Sequence, residues 1–243
     1  MADYREKIYA SYRSTIYGLS NPDSLAQPIE GYRTGFGEFL PGNKEAKILD
    51  LGCGSGYLVN FLIQSGYQNV LGIDNSIEQV EFASKKGLPV IQANALDFLK
   101  ENRDFDLIIL TDVIEHLKKD EIIDLLESIL SALAVGGSVI IRTGNASAIY
   151  GTTMRYIDFT HELEFTETSM RQVLLACGFT KISISDNKPS FGWKPKRLLR
   201  WILFKIWRAI FRLIYLIEVG EDSPRLLGKL LIAQAYKAST EER

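Results

Sequence analysis

Three glycines at alternate positions, Gly52, Gly54 and Gly56, follow a short apolar run in the stretch ILDLGCGSGYL, residues 48–58. Backbone that must approach a ligand closely cannot carry Cβ atoms, so this spacing suits a loop where a strand hands over to a helix. A helix opening near Tyr57 aims its unpaired N–H groups back at the loop. A dinucleotide fingerprint wants its third glycine one residue later, where Tyr57 stands, which favours a smaller, nucleoside-type ligand. Asp74 lies about 20 residues beyond, where a carboxylate can accept hydrogen bonds from both hydroxyls of a ribose. The chain has only two histidines, His116 in IEHL and His161 in DFTHE. They are its candidates for proton transfer near neutral pH.

These groups need elements to position them. Apolar patterning predicts strands over 48–50, 69–75, 89–94, 105–112, 138–143, 181–187 and 229–237. Helices are expected over 57–65, 76–86, 118–133 and 166–176, with turns at Gly66, Gly136-Gly137 and Gly178. Residues 105–112, FDLIILTD, are nearly all apolar, as a strand buried on both faces should be. Strands and helices alternating at this spacing imply an α/β fold with a parallel, doubly wound sheet. Asp74 then stands at the carboxyl end of the second strand, where open parallel sheets bind ligands.

DLGCGSG resembles the first motif of class I S-adenosylmethionine (SAM)-dependent methyltransferases, and D-x-x-E-H-L from Asp112 resembles their fourth. MRYIDFTHELEFT, residues 154–166, is similar to a segment of methyltransferases found with bacterial surface-polysaccharide genes. The similarity covers about residues 45–185. It implies a seven-stranded Rossmann-like sheet of order 3-2-1-4-5-7-6 with the last strand antiparallel. Residues 1–45 would form a helical cap, 46–187 the SAM-binding core, 188–228 an insert, and 229–243 the last core strand and tail. SAM would be held by Asp50, Gly52, Cys53, Gly54, Gly56, Asp74, Asn75, Asn94, Ala95 and Thr111. Asn94 stands where the family commonly has an Asp that holds the adenine amino group; an amide oxygen can also accept that N–H. Methyl transfer to a hydroxyl benefits from a base. His161 is the first candidate, with Asp158 or Glu162 to orient it, and Asp112 and His116 are the alternatives. His116 also reads as a structural hydrogen-bonding residue.

Composition narrows the setting. The chain of 243 residues is 46% hydrophobic and 24% charged, which suits one α/β domain with additions. Cys53 and Cys177 form no disulfide or metal pattern, and no acidic or histidine grouping suggests a metal. The N-terminal residues lack the apolar core of a signal peptide, so a cytoplasmic location is expected. The net charge of −2 hides a block of seven basic and no acidic residues over 194–217, against 21 basic and 30 acidic elsewhere. That block, KPKRLLRWILFKIWRAIFRLIYLI, reads as an amphipathic helix. Four charges inside it, each costing about 2.5–3.5 kcal/mol at a bilayer centre, exclude spanning. A basic face beside a broad apolar face suits an anionic membrane surface; packing on protein or a nucleic-acid patch are the alternatives. The expected partners are a glycan or small-molecule acceptor and the inner face of the membrane, with no nucleic acid. Three functions stay open: O-methylation of a lipid-linked or surface glycan, methylation of a quinone-like lipid-soluble molecule, and SAM binding without catalysis.

Overall fold

The computed structural model describes residues 4–9, 29–186 and 195–239. Seven strands form one sheet in the order β3-β2-β1-β4-β5-β7-β6. They are β1 (Lys47–Leu51), β2 (Asn69–Asp74), β3 (Val90–Gln92), β4 (Phe105–Thr111), β5 (Leu133–Gly144), β6 (Thr180–Asp186) and β7 (Leu230–Tyr236). β7 runs antiparallel between β5 and β6, and the other pairings are parallel. The expected topology is therefore the one observed.

Among the described residues the helices are α1 (Tyr4–Tyr9), α2 (Ile29–Phe36), α3 (Tyr57–Gln64), α4 (Ile77–Lys85), α5 (Ala95–Glu101), α6 (Lys119–Ala132), α7 (Gly151–Arg155), α8 (Glu167–Ala176) and α9 (Pro195–Val219). Alternation along the central strands splits the core into two layers. In β4, Leu107 and Ile109 point into the layer under α3 and α4 with Val59, Leu62 and Ala83. Ile108 and Leu110 point into the layer under α6 and α8 with Leu126, Ile129 and Leu174. β4 is buried on both faces, as its apolar run requires.

Boundaries differ from the sequence pattern in three places. β3 is three residues long rather than six, because Asn94 already caps α5. β5 begins at Leu133, not 138: the chain stays paired with β4 through an irregularity at Gly136, whose φ is +76°. The irregular segment after β5 contains the short helix α7. Residues 10–28 of the expected cap lie outside the described residues, as does Lys194.

Candidate active site

A cleft of about 400 Å³ opens at the carboxyl ends of the central strands, the expected place for a ligand in an open α/β sheet. Gly52, Cys53 and Gly54 form one wall, and Asp74 and Asn75 lie beside them. Asn94, Ala95 and Thr111 extend that rim, while Asp112, His116 and His161 lie on the other side. Thirteen residues were expected at the site; two of them, Asp50 and Gly56, do not line the cleft.

The glycines have separate reasons. All three have positive φ, from +51° to +77°. A Cβ on Gly52 would collide with Val113, and one on Gly56 would lie 2.7 Å from Leu88 and 3.1 Å from Ala83. Gly56 thus serves the seating of α3, whose first residue follows it, and not ligand approach. A Cβ on Gly54 would meet nothing nearer than Gln79 at 3.6 Å, so the space above it is the cleft's own.

Asp74 accepts from Gly54 N at 2.8 Å and from Ser76 N at 2.8 Å. A carboxylate has about four acceptor positions, so these bonds leave capacity for a ribose hydroxyl. Burial raises its pKa and the N–H groups of Ser76, Gly54 and Asn75 oppose the rise. Asp50 is fully buried under the loop, and neither oxygen has a hydrogen-bond partner. Burial, followed by repulsion from Asp74, lifts its pKa to about 8, with Arg142 acting the other way. A cationic or N–H partner would favour the ionised form of this buried acid. The amino group and sulfonium of SAM have that charge, so the donor set fits the cofactor implied by the sequence. Burial, then Asp50, pushes the Cys53 thiol far up, which leaves it an uncharged wall residue.

Asn94 departs from expectation. Its side-chain oxygen accepts from Leu96 N at 3.0 Å and Asp97 N at 3.3 Å, so it caps α5 and is not the free acceptor inferred for adenine.

On the other rim, Asp112 is gripped by the guanidinium of Arg142, with one contact at 3.3 Å and a shorter one. Both oxygens are engaged in this ion pair, which disfavours Asp112 as one of the two alternative bases. Arg142 reaches it from β5, next to Thr111 in register, and also lies over the rings of Tyr32 and Phe36.

The two imidazoles meet edge to face with centroids 4.7 Å apart. His161 Nδ1 lies 3.1 Å from the Met154 carbonyl oxygen. A carbonyl only accepts, so Nδ1 carries the proton and Nε2 keeps the lone pair. The expected orienting acids do other work: Asp158 accepts from Thr160 N and Oγ1, and Glu162 accepts from the Tyr4 hydroxyl at 2.5 Å. His116 is buried, with Nδ1 2.7 Å from Thr160 Oγ1. Burial, then the neighbouring His161, lowers its pKa to about 4. His116 is therefore neutral near pH 7.

Several residues were not singled out from sequence. Arg142, Ser76 and Gln79 line the cleft, and Glu115 lies buried against Thr143, burial and then Asp112 raising its pKa. Tyr9 and Tyr32, from the segment expected as a cap, supply aromatic walls from α1 and α2. Arg5 fastens α1 there by two 2.7 Å bonds to Glu121 and one of 3.1 Å to the His116 carbonyl. Among the described residues, no group of three or more His, Cys, Asp or Glu is placed to hold a metal ion.

The comparisons with known proteins agree with this fold. A SAM-dependent methyltransferase from Archaeoglobus fulgidus superposes with a TM-score of 0.64 at 20% identity, covering 86% of this chain and 95% of that one. Phosphoethanolamine N-methyltransferase 2 of Haemonchus contortus, solved with SAM, gives 0.59 at 17%, covering 95% of this chain and 60% of its own. Among curated proteins, the tRNA U34 carboxymethyltransferase of Methylococcus capsulatus is 25% identical in an alignment of 172 positions that covers 65% of this chain. The chain spans about half, 52%, of that relative's length. The family described as "Methyltransferase domain" matches residues 27–184. With that match over most of the chain, and a sheet and cleft of the corresponding form, the protein belongs to the methyltransferase domain family.

Proposed function

We propose that the protein is a SAM-dependent methyltransferase that methylates a hydroxyl oxygen on a sugar of a lipid-linked or surface glycan, at the inner face of the membrane. One observation carries the reading: a single cleft joins the glycine loop and Asp74 to two adjoining imidazoles. SAM is the cofactor, and when bound it supplies an electrophilic methyl group on a sulfonium. The Gly54 backbone gives it room, Asp74 takes the ribose hydroxyls, and Asp50 answers the positive charge from below. His161 accepts the hydroxyl proton at Nε2, and the Met154 carbonyl holds the ring in the tautomer that leaves Nε2 basic. His116, neutral beside it, adds no positive charge that would resist that protonation. Tyr9 and Tyr32 offer rings against which a sugar can stack. The phenol of Tyr9, pushed up to about 12 chiefly by burial, stays a hydrogen-bond donor.

A tRNA acceptor, suggested by the curated relative's name, is less compatible with a chain that has 21 basic and 30 acidic residues outside 194–217. The test is turnover with SAM and undecaprenyl-linked glycan acceptors, read by product mass. His161→Ala should lower kcat by about 10²–10⁴-fold while SAM affinity stays near the parent value. SAM binding without methylation of any glycan sinks the acceptor assignment, and near-parent turnover of the variant removes His161 as the base.

A further inference from the structure

One side of helix α9, an arginine set among aromatic rings, turns toward the protein. At 100° per residue, Phe204, Arg208, Phe211 and Tyr215 share one sector, and all four are half-buried. Arg208 meets Asp186, at the end of β6, at 3.4 Å. Opposite this sector lie Leu199, Ile202, Ile206, Ile210, Leu213 and Ile217, which are between 42% and 72% exposed. An aliphatic stripe along a helix of 25 residues, roughly 37 Å long, faces away from the body. Arg200, Lys205 and Arg212 are exposed on its flanks.

A second apolar projection arises from the same rim of the sheet. Tyr156, Ile157 and Phe159, in the segment carrying His161, are 73%, 68% and 82% exposed. The two segments share a footing. β5 ends at Gly144 opposite Leu230, and β6 ends at Asp186 opposite Leu231. The Asn145 side chain donates to the carbonyls of Leu226 at 3.0 Å and Gly228 at 2.8 Å, tying the base of one segment to the exit of the other. Asp186 accepts from Gly228 N at 2.7 Å as well as meeting Arg208.

We propose that the outward stripe of α9 and the projection at residues 156–159 dock together on an anionic lipid surface, which holds the acceptor side of the cleft at headgroup level. The acceptor class that follows is an amphiphile whose sugar lies at the interface while its lipid stays in the bilayer; this part rests on the glycan reading above. Charge complementarity selects lipid over a second copy of the chain. Two stripes meeting face to face would bring like-charged flanks together, whereas an anionic surface pairs with them. No described helix is long and apolar enough to cross a membrane, so the helix lies in the interface plane.

The test is flotation of the full chain with vesicles of equal parts phosphatidylglycerol and phosphatidylcholine, beside phosphatidylcholine alone, across a salt series. The parent should float with the anionic vesicles. Ile206→Asp with Ile210→Asp should lose at least tenfold in affinity at every salt concentration. Arg200→Gln with Lys205→Gln and Arg212→Gln should flatten the salt dependence; Arg208 is spared because it holds the helix to Asp186. Phe159→Ser should weaken flotation by a smaller factor. A parent that stays in solution with anionic vesicles overturns the proposal. So does a dimer in sedimentation that Ile206→Asp with Ile210→Asp makes monomeric. Phe159→Ser floating like the parent overturns the two-point docking. SAM affinity, read on the same samples by calorimetry, should be unchanged in the α9 variants. If SAM binds and the vesicles do not, the docking alone has failed; if SAM does not bind the parent, the methyltransferase reading has.

Discussion

The two rims of the cleft are built by different means. On the donor rim the backbone does the holding: Gly52 N and Cys53 N both donate to the Ile73 carbonyl, at 2.8 and 2.9 Å, and Gly54 N donates to Asp74. The loop is stitched to β2 and has almost no conformational alternatives. On the acceptor rim His161 sits in an irregular segment after β5, placed by a local carbonyl and by contacts far away in sequence. Glu162 N donates to the Glu115 carbonyl at 2.8 Å, and the Tyr4 hydroxyl reaches Glu162. One rim is thus fixed by sheet geometry, which suits an invariant ligand. The other is hung from side chains and loops, which suits an acceptor that varies.

That contrast can be broken by substitution. The largest effect is expected for Gly54→Val, whose side chain would occupy the open space above the loop. It should remove detectable SAM binding while thermal unfolding stays cooperative. Gly56→Val should show the reverse emphasis, a protein that folds poorly because Leu88 and Ala83 are already there. Equal loss of fold in both variants would erase the distinction between the two glycines.

Asp74→Ala should cost SAM binding at least about 1.5 kcal/mol, roughly tenfold, the scale of hydrogen bonds to a charged group. Isothermal calorimetry on the folded variant decides this, and unchanged affinity would take Asp74 out of the site.

The smallest effect sharpens the comparison most. Asp50, with a pKa of about 8 in the ligand-free protein, is mostly protonated at pH 7. A cationic ligand favours its ionised form, so SAM binding should release a proton near pH 7 and progressively less above pH 8. The sign for stability follows from the same shift. The folded pKa is raised, so this group's contribution is fully present below its unfolded value near 4 and is lost as pH rises through about 8. Without SAM the protein should therefore melt at lower temperature as pH rises across that window, and SAM should narrow the difference. Calorimetry in buffers of different ionisation heat counts the proton, and its persistence in Asp50→Asn would assign it elsewhere.

Much of the donor rim was legible because its chemistry is local. Glycine spacing, a strand ending in Asp and the period of the helices are all written within thirty or so residues, the length of a βαβ unit. Asn94 was readable too, as a cap ahead of ALDFLKE, and the helix-start signal outranks the adenine role given to it. The acceptor rim depends on pairs that no local pattern announces. Arg142 meets Asp112 because β4 and β5 are neighbours in register, and Arg5 meets Glu121 across more than a hundred positions. The pattern of α9 separates basic from aliphatic positions, yet only the fold tells which side turns inward. The anchoring Asp186 lies on another element.

The placement of β7 has a consequence for how the chain matures. β6 is hydrogen-bonded to β7 alone among the described strands, and β7 also closes the edge of β5. Ser138 pairs with Tyr236, so the closing contacts join positions about a hundred residues apart, the kind of non-local pairing that slows folding. During synthesis β5, β6 and all of α9 emerge before β7. Until it slides between them, two strand edges and an aliphatic helix are open to wrong partners. Among the described strands, the sheet can close only once β7 has paired with both β5 and β6.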